Sequence, residues 1–212
     1  MNITIICSDP QHKIFPYLEK WIIKNSINHN ISLVTRSKQI TKGDILFIIS
    51  CTEIIKENIR KKFKHTLVIH ESDLPKGRGW SPVSYQVEKG IMDIPVTLFE
   101  ANQELDTGKW YIKSTIKLNG TELIDEIREK QFNVTLSMIK KFLTGSKEGN
   151  NQFGDETYYA KRSEDNQQLD ISKSIENQFD KLRVCDNNRY PSHFSIRNQK
   201  YILKIYKKED NV

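Results

Sequence analysis

The chain has little glycine and proline, and it contains no long hydrophobic run. Its 9 glycines and 6 prolines in 212 residues exclude a collagen-like or a proline-rich disordered chain. A membrane-spanning helix needs roughly 20 consecutive apolar residues, whereas one of the longest apolar runs covers only residues 45–49. Residues 1–6 lack the basic region of a signal peptide and predict a first strand instead. We therefore expect a soluble, cytoplasmic protein with no membrane partner.

Cysteine is also scarce, and the excess of positive charge is small. Cys7, Cys51 and Cys185 are odd in number and far apart, so they predict neither a disulfide framework nor a zinc site. We expect a reducing compartment and no metal. Lys and Arg number 33 against 27 Asp and Glu, which suits an anionic small substrate or a weak nucleic-acid contact without deciding between them. The densest basic cluster, residues 60–64, is most simply a solvated helix end, and we expect no nucleic-acid partner.

Hydrophobic spacing predicts alternating strands and helices in the first 100 residues. Strands are predicted at residues 1–7, 31–35, 44–50 and 66–69, with helices at about 15–25 and 52–63. The unbroken apolar run within 44–50 is typical of a strand buried on both faces of a parallel sheet. This alternation predicts an α/β fold with a doubly wound, mostly parallel sheet. In such sheets ligands lie beyond the carboxyl ends of the strands, here residues 50–53 and 70–80.

The second half is predicted to contain one long helix and a small appendage. The predicted elements are a helix at 82–89, extended segments at 95–101 and 110–118, a helix at 121–143, a linker at 144–156, a helix at 175–184, and two terminal strands at 194–196 and 201–205. We therefore expect two domains, residues 1–145 and a small C-terminal α+β subdomain at 146–212.

The most informative segment begins at His70 and has the sequence His-Glu-Ser-Asp-Leu-Pro-Lys-Gly-Arg-Gly-Trp-Ser-Pro. It places an imidazole at the end of a buried strand, before a loop rich in glycine and proline. Val96-Thr97 follows, and then Leu105-Asp106-Thr107-Gly108. A lone His at a strand end is more often structural, and Asp-Thr-Gly alone is a common turn. Together they place an imidazole and a carboxylate at one sheet edge, where the carboxylate can orient the ring.

These motifs, in this order, resemble the formyltransferase domain that uses 10-formyltetrahydrofolate. That domain serves methionyl-tRNA formyltransferase, glycinamide ribonucleotide formyltransferase and the sugar N-formyltransferases. The resemblance covers residues 40–118 well and the remainder only in pattern. It implies a Rossmann-like fold and an N-formyltransferase with 10-formyltetrahydrofolate as co-substrate. It also implies two catalytic residues: His70 moves a proton as an amine attacks the formyl carbon, and Asp106 orients His70.

One position departs from the family pattern. The family usually has Asn two residues before the His, and its amide stabilises the developing oxyanion; this chain has Val68 there. Losing one such donor typically costs about 10²–10³ in rate when nothing replaces it. Either His70, a backbone N–H group or Ser72 supplies the hydrogen bond, or the domain binds folate without turnover. Because the His and the Asp are both present, we expect an active enzyme.

Further site residues follow from their positions in the resemblance. The loop after the third strand and the stretch before Asp106 correspond to the pterin pocket, which makes the expected cofactor-binding residues Ser50, Cys51, Thr52, Ile54, Glu100, Asn102, Gln103 and Leu105. The expected substrate-binding residues are Ser72, Arg78, Gly79, Trp80, Arg183, Asp186 and Asn187, with Arg189 as a further candidate. An Asx turn at a helix end is an equally good interpretation of Asp186 and Asn187.

The remainder of the chain favours an amino sugar as the acceptor. Methionyl-tRNA formyltransferase carries a further RNA-binding β-barrel, for which this chain is too short. The glycinamide ribonucleotide enzyme has a glycine-rich phosphate loop after its first strand, whereas residues 8–12 contain no glycine. Residues 158–191 are similar to the C-terminal part of sugar N-formyltransferases, and an Arg such as Arg183 suits a nucleotide pyrophosphate.

We therefore expect formyl transfer to the amine of a nucleotide-linked amino sugar, in the biosynthesis of a surface glycan, a polysaccharide or a nonulosonic acid. The subdomain at 146–212 is expected to contribute to the acceptor site. Two alternatives stay open: formylation of a non-sugar amine such as a carrier-bound aminoacyl group, and folate binding without turnover. A homodimer formed by edge pairing of residues 110–118 stays open as well.

Overall fold

The computed structural model describes residues 1–208. The strands are β1 (Asn2–Ile6), β2 (Asn30–Val34), β3 (Ile45–Ile48), β4 (His65–His70), β5 (Arg78–Gly79), β6 (Asp93–Glu100), β7 (Trp110–Lys117), β8 (Tyr158–Tyr159), β9 (Ser192–Ile196) and β10 (Gln199–Leu203). The helices are α1 (Phe15–Asn25), α2 (Glu57–Arg60), α3 (Pro82–Glu88), α4 (Ile124–Thr144) and α5 (Phe179–Arg183), with short 3₁₀ turns at Ser37–Gln39, Glu164–Gln167 and Glu176–Gln178.

A six-stranded sheet with the order β2-β1-β3-β4-β6-β7 forms the centre of the molecule. The first four strands in that order are parallel to their neighbours. β6 is antiparallel to β4, and β7 is antiparallel to β6. The expected α/β fold with a mostly parallel sheet is therefore confirmed. The antiparallel register pairs His70 with Thr97 and Leu67 with Glu100.

Both faces of this sheet are covered, which explains the unbroken apolar runs. Along β1 and β3, Ile5 and Phe47 belong to the larger hydrophobic cluster, which includes residues of α1 and α4. Ile6 and Leu46 belong to a smaller cluster on the opposite face. The ring of Phe47 meets that of Phe142, in α4, edge to face at 6.3 Å between centroids. Because successive side chains alternate between faces, both must be apolar, and each fully buried side chain stabilises the fold by roughly 1.5–3 kcal/mol.

The helix predicted at 52–63 is much shorter in the structure, where α2 covers only Glu57–Arg60. Hydrogen bonds to neighbouring loops hold the preceding residues in an extended form. The Thr52 N–H group donates to Ser8 Oγ at 2.9 Å, and the Ser37 N–H group donates to Glu53 Oε2 at 3.0 Å. The helix predicted at 175–184 is likewise reduced to a 3₁₀ turn followed by α5. In the first of these places local propensity yields to tertiary hydrogen bonds.

The C-terminal segment pairs with the loop that follows β4. β8 lies parallel to β5, with Arg78 opposite Tyr158 and Gly79 opposite Tyr159. β9 and β10 form an antiparallel hairpin whose turn residues Arg197 and Asn198 have positive φ angles of 50° and 60°. The domain boundary at residue 145 stays a prediction. None of the helices described for residues 1–208 combines the length and apolar character that a bilayer crossing requires.

Candidate active site

His70 is the last residue of β4, at the carboxyl edge of the parallel strands, and its side chain is largely buried. Its Nε2 atom lies 2.7 Å from the main-chain oxygen of Gly77. Because a carbonyl oxygen only accepts, Nε2 carries the proton and Nδ1 has the lone pair in the neutral ring. The chain turns sharply after the strand, since the Ser72 N–H group donates to the oxygen of His70 at 2.9 Å. The ring is thus held by the loop that follows it.

Asp106 lies in the loop between β6 and β7, and the structure brings its carboxylate close to the ring of His70. Its Oδ2 atom lies 4.0 Å from Nε2 of His70. The same oxygen accepts a hydrogen bond from the Gly79 N–H group at 3.0 Å. Asp106 is largely buried and has a φ of 56°. The two side chains are therefore close enough for an ion pair, but no direct hydrogen bond joins them. Their catalytic roles stay predictions.

Gln152 positions the Asp106 loop, and sequence reasoning missed it. Its Nε2 atom donates to the main-chain oxygens of Asp106 and Gly108, at 2.9 and 2.8 Å. The loop also packs closely on β6, since a Cβ atom on Gly108 would lie 1.6 Å from the oxygen of Glu100. Gln152 falls in the stretch predicted to be a linker, where no sequence signal distinguishes it.

Arg78 and Gly79 join the His70 loop to the C-terminal segment. The guanidinium group of Arg78 contacts the carboxylate of Glu156, the hydroxyl of Tyr158 at 3.1 Å and Oε1 of Gln152 at 3.2 Å. Only 7% of Arg78 is exposed, so its contacts are internal. Gly79 has a φ of 98°, and a Cβ atom there would lie 2.4 Å from the oxygen of Tyr159. Arg78 thus anchors the C-terminal segment to this loop, and its predicted contact with substrate stays a prediction.

Trp80 and Ser72 remain candidates for contact with a ligand. Trp80 is 45% exposed, and Nζ of Lys161 lies 5.4 Å from the centroid of its ring. Ser72 is buried, and its hydroxyl has no hydrogen-bond partner within residues 1–208. Val68 lies in the middle of β4, paired with Ile48 and Phe99. Because Val68 has no donor, His70, Ser72 and a backbone N–H group stay the predicted alternatives to the family's Asn.

The predicted pterin-pocket residues lie on two loops. Ile54 and Leu105 expose 87% and 63% of their surface, which leaves two apolar side chains available to an aromatic ligand. Burial raises the pKa of the Cys51 thiol, so this cysteine is not an activated nucleophile. Four further predicted residues of these loops are exposed: Ser50, Thr52, Asn102 and Gln103. Oδ1 of Asn102 accepts hydrogen bonds from the Glu104 N–H group and the Thr107 hydroxyl.

The side chain of Glu100 does not lie at this edge of the sheet; the expected contact of its segment with the pterin is through the backbone and stays a prediction. The antiparallel register of β6 places it opposite Leu67, towards the start of β4. Its carboxylate accepts hydrogen bonds from the Thr66 N–H group at 2.5 Å and the Tyr111 hydroxyl at 2.8 Å. The side chain is used inside the fold, away from His70.

Arg183 is a further predicted substrate-binding residue, and that role stays a prediction. The side chain has no exposed surface. Its Nε atom donates to Asp180 Oδ1 at 2.6 Å, and Nη1 donates to the main-chain oxygen of Glu122 at 3.2 Å. A buried guanidinium with these partners stabilises the packing of α5 and has no free surface for a pyrophosphate.

Asp186 and Asn187 follow the Asx-turn interpretation. Asp186 Oδ1 accepts from the N–H groups of Asn188 and Arg189, and Oδ2 accepts from Arg128 at 2.6 Å. Burial opposes ionisation, but these hydrogen bonds outweigh it and lower the pKa of Asp186 to about 2. Asn187 donates to the oxygen of Ile205 at 2.7 Å. Both side chains are engaged within the protein, and their predicted contact with substrate stays a prediction.

Glu71, next to His70, is a further acidic side chain of this region that sequence reasoning missed. Its Oε1 atom accepts a hydrogen bond from Nε2 of Gln131, in α4, at 2.7 Å. Burial raises the pKa of the Glu71 carboxyl, although the nearby charge of His70 opposes this shift. The region therefore contains an imidazole and two carboxyl groups, a set that suits proton transfer. Within residues 1–208, no cluster of three or more His, Cys, Asp or Glu is placed to hold a metal ion.

Comparison with solved structures shows the same fold throughout the chain. A methionyl-tRNA formyltransferase from Clostridium thermocellum superimposes with a TM-score of 0.85 and 21% identity, covering 100% of this chain and 95% of that chain. A 4-N formyltransferase from Francisella tularensis superimposes with a TM-score of 0.68 and 16% identity, covering 99% of this chain and 98% of that chain. HypX from Aquifex aeolicus in complex with tetrahydrofolic acid superimposes with a TM-score of 0.75 and 16% identity, covering 95% of this chain and 37% of that chain.

Curated relatives match over part of their own length. Methionyl-tRNA formyltransferase of Finegoldia magna is 30% identical over 101 residues, covering 47% of this chain and 33% of the relative. Methionyl-tRNA formyltransferase of Mycoplasma mycoides is 25% identical over 198 residues, covering 87% of this chain and 62% of the relative. This chain thus spans between one-third and about three-fifths of these two relatives. The family model described as formyl transferase matches residues 3–141, which is more than half of the chain. The chain therefore belongs to the formyl transferase family, whose enzymes transfer one-carbon formyl groups with folate derivatives.

Proposed function

We propose that this protein transfers a formyl group from 10-formyltetrahydrofolate to the amine of a nucleotide-linked amino sugar. The observation that carries the proposal is the approach of His70 and Asp106 at the carboxyl edge of β4, with their polar atoms 4.0 Å apart. Family membership supplies the reaction class, and the site supplies groups suited to it. The free thiols of Cys7, Cys51 and Cys185 suit a reducing, cytoplasmic location.

The chemistry assigned to His70 follows from its hydrogen bond. With Nε2–H donating to Gly77, Nδ1 is the atom that accepts a proton from the attacking amine. A bond forms between the amine nitrogen and the formyl carbon, the bond from that carbon to the folate nitrogen breaks, and the folate nitrogen takes the proton that His70 received from the amine. Asp106 carries the charge that stabilises the transient imidazolium. The Ser72 hydroxyl, buried and without a partner among the described residues, is the proposed donor to the developing oxyanion.

Two observations are compatible with a sugar as the acceptor. A sugar N-formyltransferase from Shewanella and the 4-N formyltransferase from Francisella tularensis each match nearly their whole length to nearly the whole of this chain, as does the methionyl-tRNA formyltransferase from Clostridium thermocellum. Residues 8–12, after β1, contain no glycine, so the loop lacks the backbone freedom of a phosphate-cradling loop. The names of the curated relatives favour a second candidate, the aminoacyl amine of methionyl-tRNA. The expectation that the protein has no nucleic-acid partner therefore stays a prediction.

The test is a turnover assay on the purified full chain with 10-formyltetrahydrofolate. The acceptor panel contains UDP- and dTDP-linked amino sugars and, separately, methionyl-tRNA. We expect release of tetrahydrofolate and a sugar nucleotide heavier by one formyl group. Product only from methionyl-tRNA would replace the sugar by the second candidate. Folate binding without any product would indicate a binding protein, and absence of folate binding would overturn the proposal.

A further inference from the structure

One surface segment, residues 150–159, contacts both loops of the candidate site, and we call it the bridging segment. It begins at Asn150, which exchanges two backbone hydrogen bonds of 2.9 and 2.8 Å with Trp110. It ends in β8, which lies beside β5. Residues 153–157 are exposed, and neither hydrophobic cluster described for residues 1–208 includes a residue of this segment. Polar contacts therefore hold most of the bridging segment in place.

Within this segment, Thr157 holds the peptide group that binds His70. The carbonyl of Gly77, which accepts from Nε2 of His70 at 2.7 Å, shares a peptide group with the N–H of Arg78. That N–H group donates to the main-chain oxygen of Thr157 at 2.9 Å. The hydroxyl oxygen of Thr157 accepts from the Gly77 N–H group at 2.8 Å. Because Thr157 accepts from the N–H groups of Gly77 and Arg78, it fixes the direction of the carbonyl that meets the imidazole.

Gln152, in the same segment, joins the Asp106 loop to the His70 loop. Its Nε2 atom donates to the main-chain oxygens of Asp106 and Gly108, and its Oε1 atom accepts from Arg78 at 3.2 Å. Asp106 has a φ of 56°, in the left-handed region, which a non-glycine residue keeps only where surrounding contacts hold it. Gln152 therefore supports an unfavourable backbone conformation at the residue whose carboxylate lies 4.0 Å from the ring of His70.

We propose that Thr157 and Gln152 are positioning residues of the formyl transfer. Through them the bridging segment sets both the direction of the His70 ring and the place of the Asp106 carboxylate. Proton transfer depends on this placement because the reacting atoms must meet at hydrogen-bond distance, and a displacement of about 1 Å can lower a rate about 100-fold. The inference rests on the proposed function, in which His70 accepts the proton of the amine.

The first test measures the hydrogen bond of His70 in the full chain without any substrate. The readout is the exchange of its Nε2 proton with water, followed by proton NMR and assigned by loss of the signal in His70→Asn. Thr157→Val keeps the shape of the side chain but removes the acceptor for Gly77, so we expect about 10-fold faster exchange. Thr157→Ser should restore the wild-type rate. Thr41→Val, at an exposed residue that precedes β3, is the matched control.

Equal exchange rates in wild type and Thr157→Val would overturn the role of Thr157. A Nε2 proton of His70 that exchanges too fast to be observed in wild type would overturn it as well, because the hydrogen bond to Gly77 would then give no protection.

The second test separates positioning from simple anchoring of the segment. kcat and KM are measured with 10-formyltetrahydrofolate and dTDP-linked 4-amino-4,6-dideoxyglucose, or with methionyl-tRNA if only that acceptor gives product. We expect kcat to fall about 10-fold to 100-fold in Thr157→Val and in Gln152→Leu, with KM nearly unchanged and with kcat recovered in Thr157→Ser. The double variant should lose less than the product of the two single effects, because either substitution already releases the bridging segment.

Each other outcome of the second test is decisive. Unchanged kcat in both single variants, or a rise of KM alone, would overturn the inference. Single effects that multiply in the double variant would show that Thr157 and Gln152 act separately, which would overturn the role of one common segment. Wild type that forms no product with either acceptor would overturn the proposed function, whereas the proton exchange of His70 would still decide whether Thr157 holds the ring.

Discussion

Asp106 and His70 approach each other to 4.0 Å and are linked through a single loop instead of by a direct hydrogen bond. Gly77 accepts from His70 Nε2 at 2.7 Å, and two residues later the Gly79 N–H group donates to Asp106 Oδ2 at 3.0 Å. The backbone of residues 77–79 therefore fixes both groups. Any displacement of this loop changes the position of the imidazole and of the carboxylate together.

The first prediction concerns charge at Asp106. Asp106→Asn keeps an oxygen that can accept from Gly79, but it removes the charge that stabilises the imidazolium of His70. We expect turnover to fall about 10²–10⁴-fold, as for loss of a proton-transfer group, with tetrahydrofolate affinity nearly unchanged. His70→Asn should behave similarly. Steady-state kinetics and folate titration measure both effects. Asp93→Asn, at the exposed start of β6, is the matched control, and turnover retained in Asp106→Asn would remove the assigned role.

The second prediction concerns Gly79. A Cβ atom there would lie 2.4 Å from the oxygen of Tyr159, and φ is 98°. Gly79→Ala must therefore shift β5 from β8, and we expect a loss of about 1–3 kcal/mol of unfolding free energy together with lower turnover. Gly154→Ala is the control, because Gly154 has a φ of 108° with no atom within 4 Å of its added Cβ. Urea unfolding of both variants separates the clash from backbone strain; equal losses would contradict the assigned contact.

The third prediction concerns the anchor formed by Arg78. Arg78→Lys cannot reach Glu156, Tyr158 and Gln152 at once, because an ammonium group lacks the fork of a guanidinium. We expect faster cleavage by trypsin or a non-specific protease within residues 145–157, and slower turnover because Gln152 also holds the Asp106 loop. Limited proteolysis followed by mass spectrometry locates the cuts. Arg36→Lys, at an exposed side chain, should leave the pattern unchanged; an unchanged pattern in Arg78→Lys would refute the anchoring role.

The fourth prediction concerns acid stability. Hydrogen bonds lower the pKa of Asp186 from 3.8 to about 2, so the folded state favours its ionised form. A depressed carboxyl pKa contributes stability above the unfolded value, and this contribution is lost as pH falls through the folded value. Asp186→Asn should therefore be about 1.5–3 kcal/mol less stable than wild type at pH 7, with the difference shrinking between pH 4 and pH 2. Urea unfolding across that range measures it, and a difference constant down to pH 2 would contradict the prediction.

Local patterns in the sequence were enough to predict the strands of the central sheet and the long helix, and the resemblance to a known family supplied the reaction class. β1, β3 and β4 are apolar on consecutive residues because the sheet is covered on both faces, and that pattern is visible without coordinates. The motif from His70 to Asp106 preserves residue types in order, which made the family recognisable. The helix at 52–63 was predicted wrongly, because side chains from distant loops, such as Ser8, compete for its backbone.

Which side chains meet was decided by the tertiary structure alone. Arg183 suits a pyrophosphate by chemistry, yet packing buries it against Glu122. Gln152 and Glu71 carry no distinguishing pattern, yet one holds the Asp106 loop and the other lies beside His70. The physical reason is that periodicity reports which face of an element is buried, a local property. The partner of a polar group depends on strand register and loop path over separations of up to 180 residues, such as that from Asp9 to Arg189.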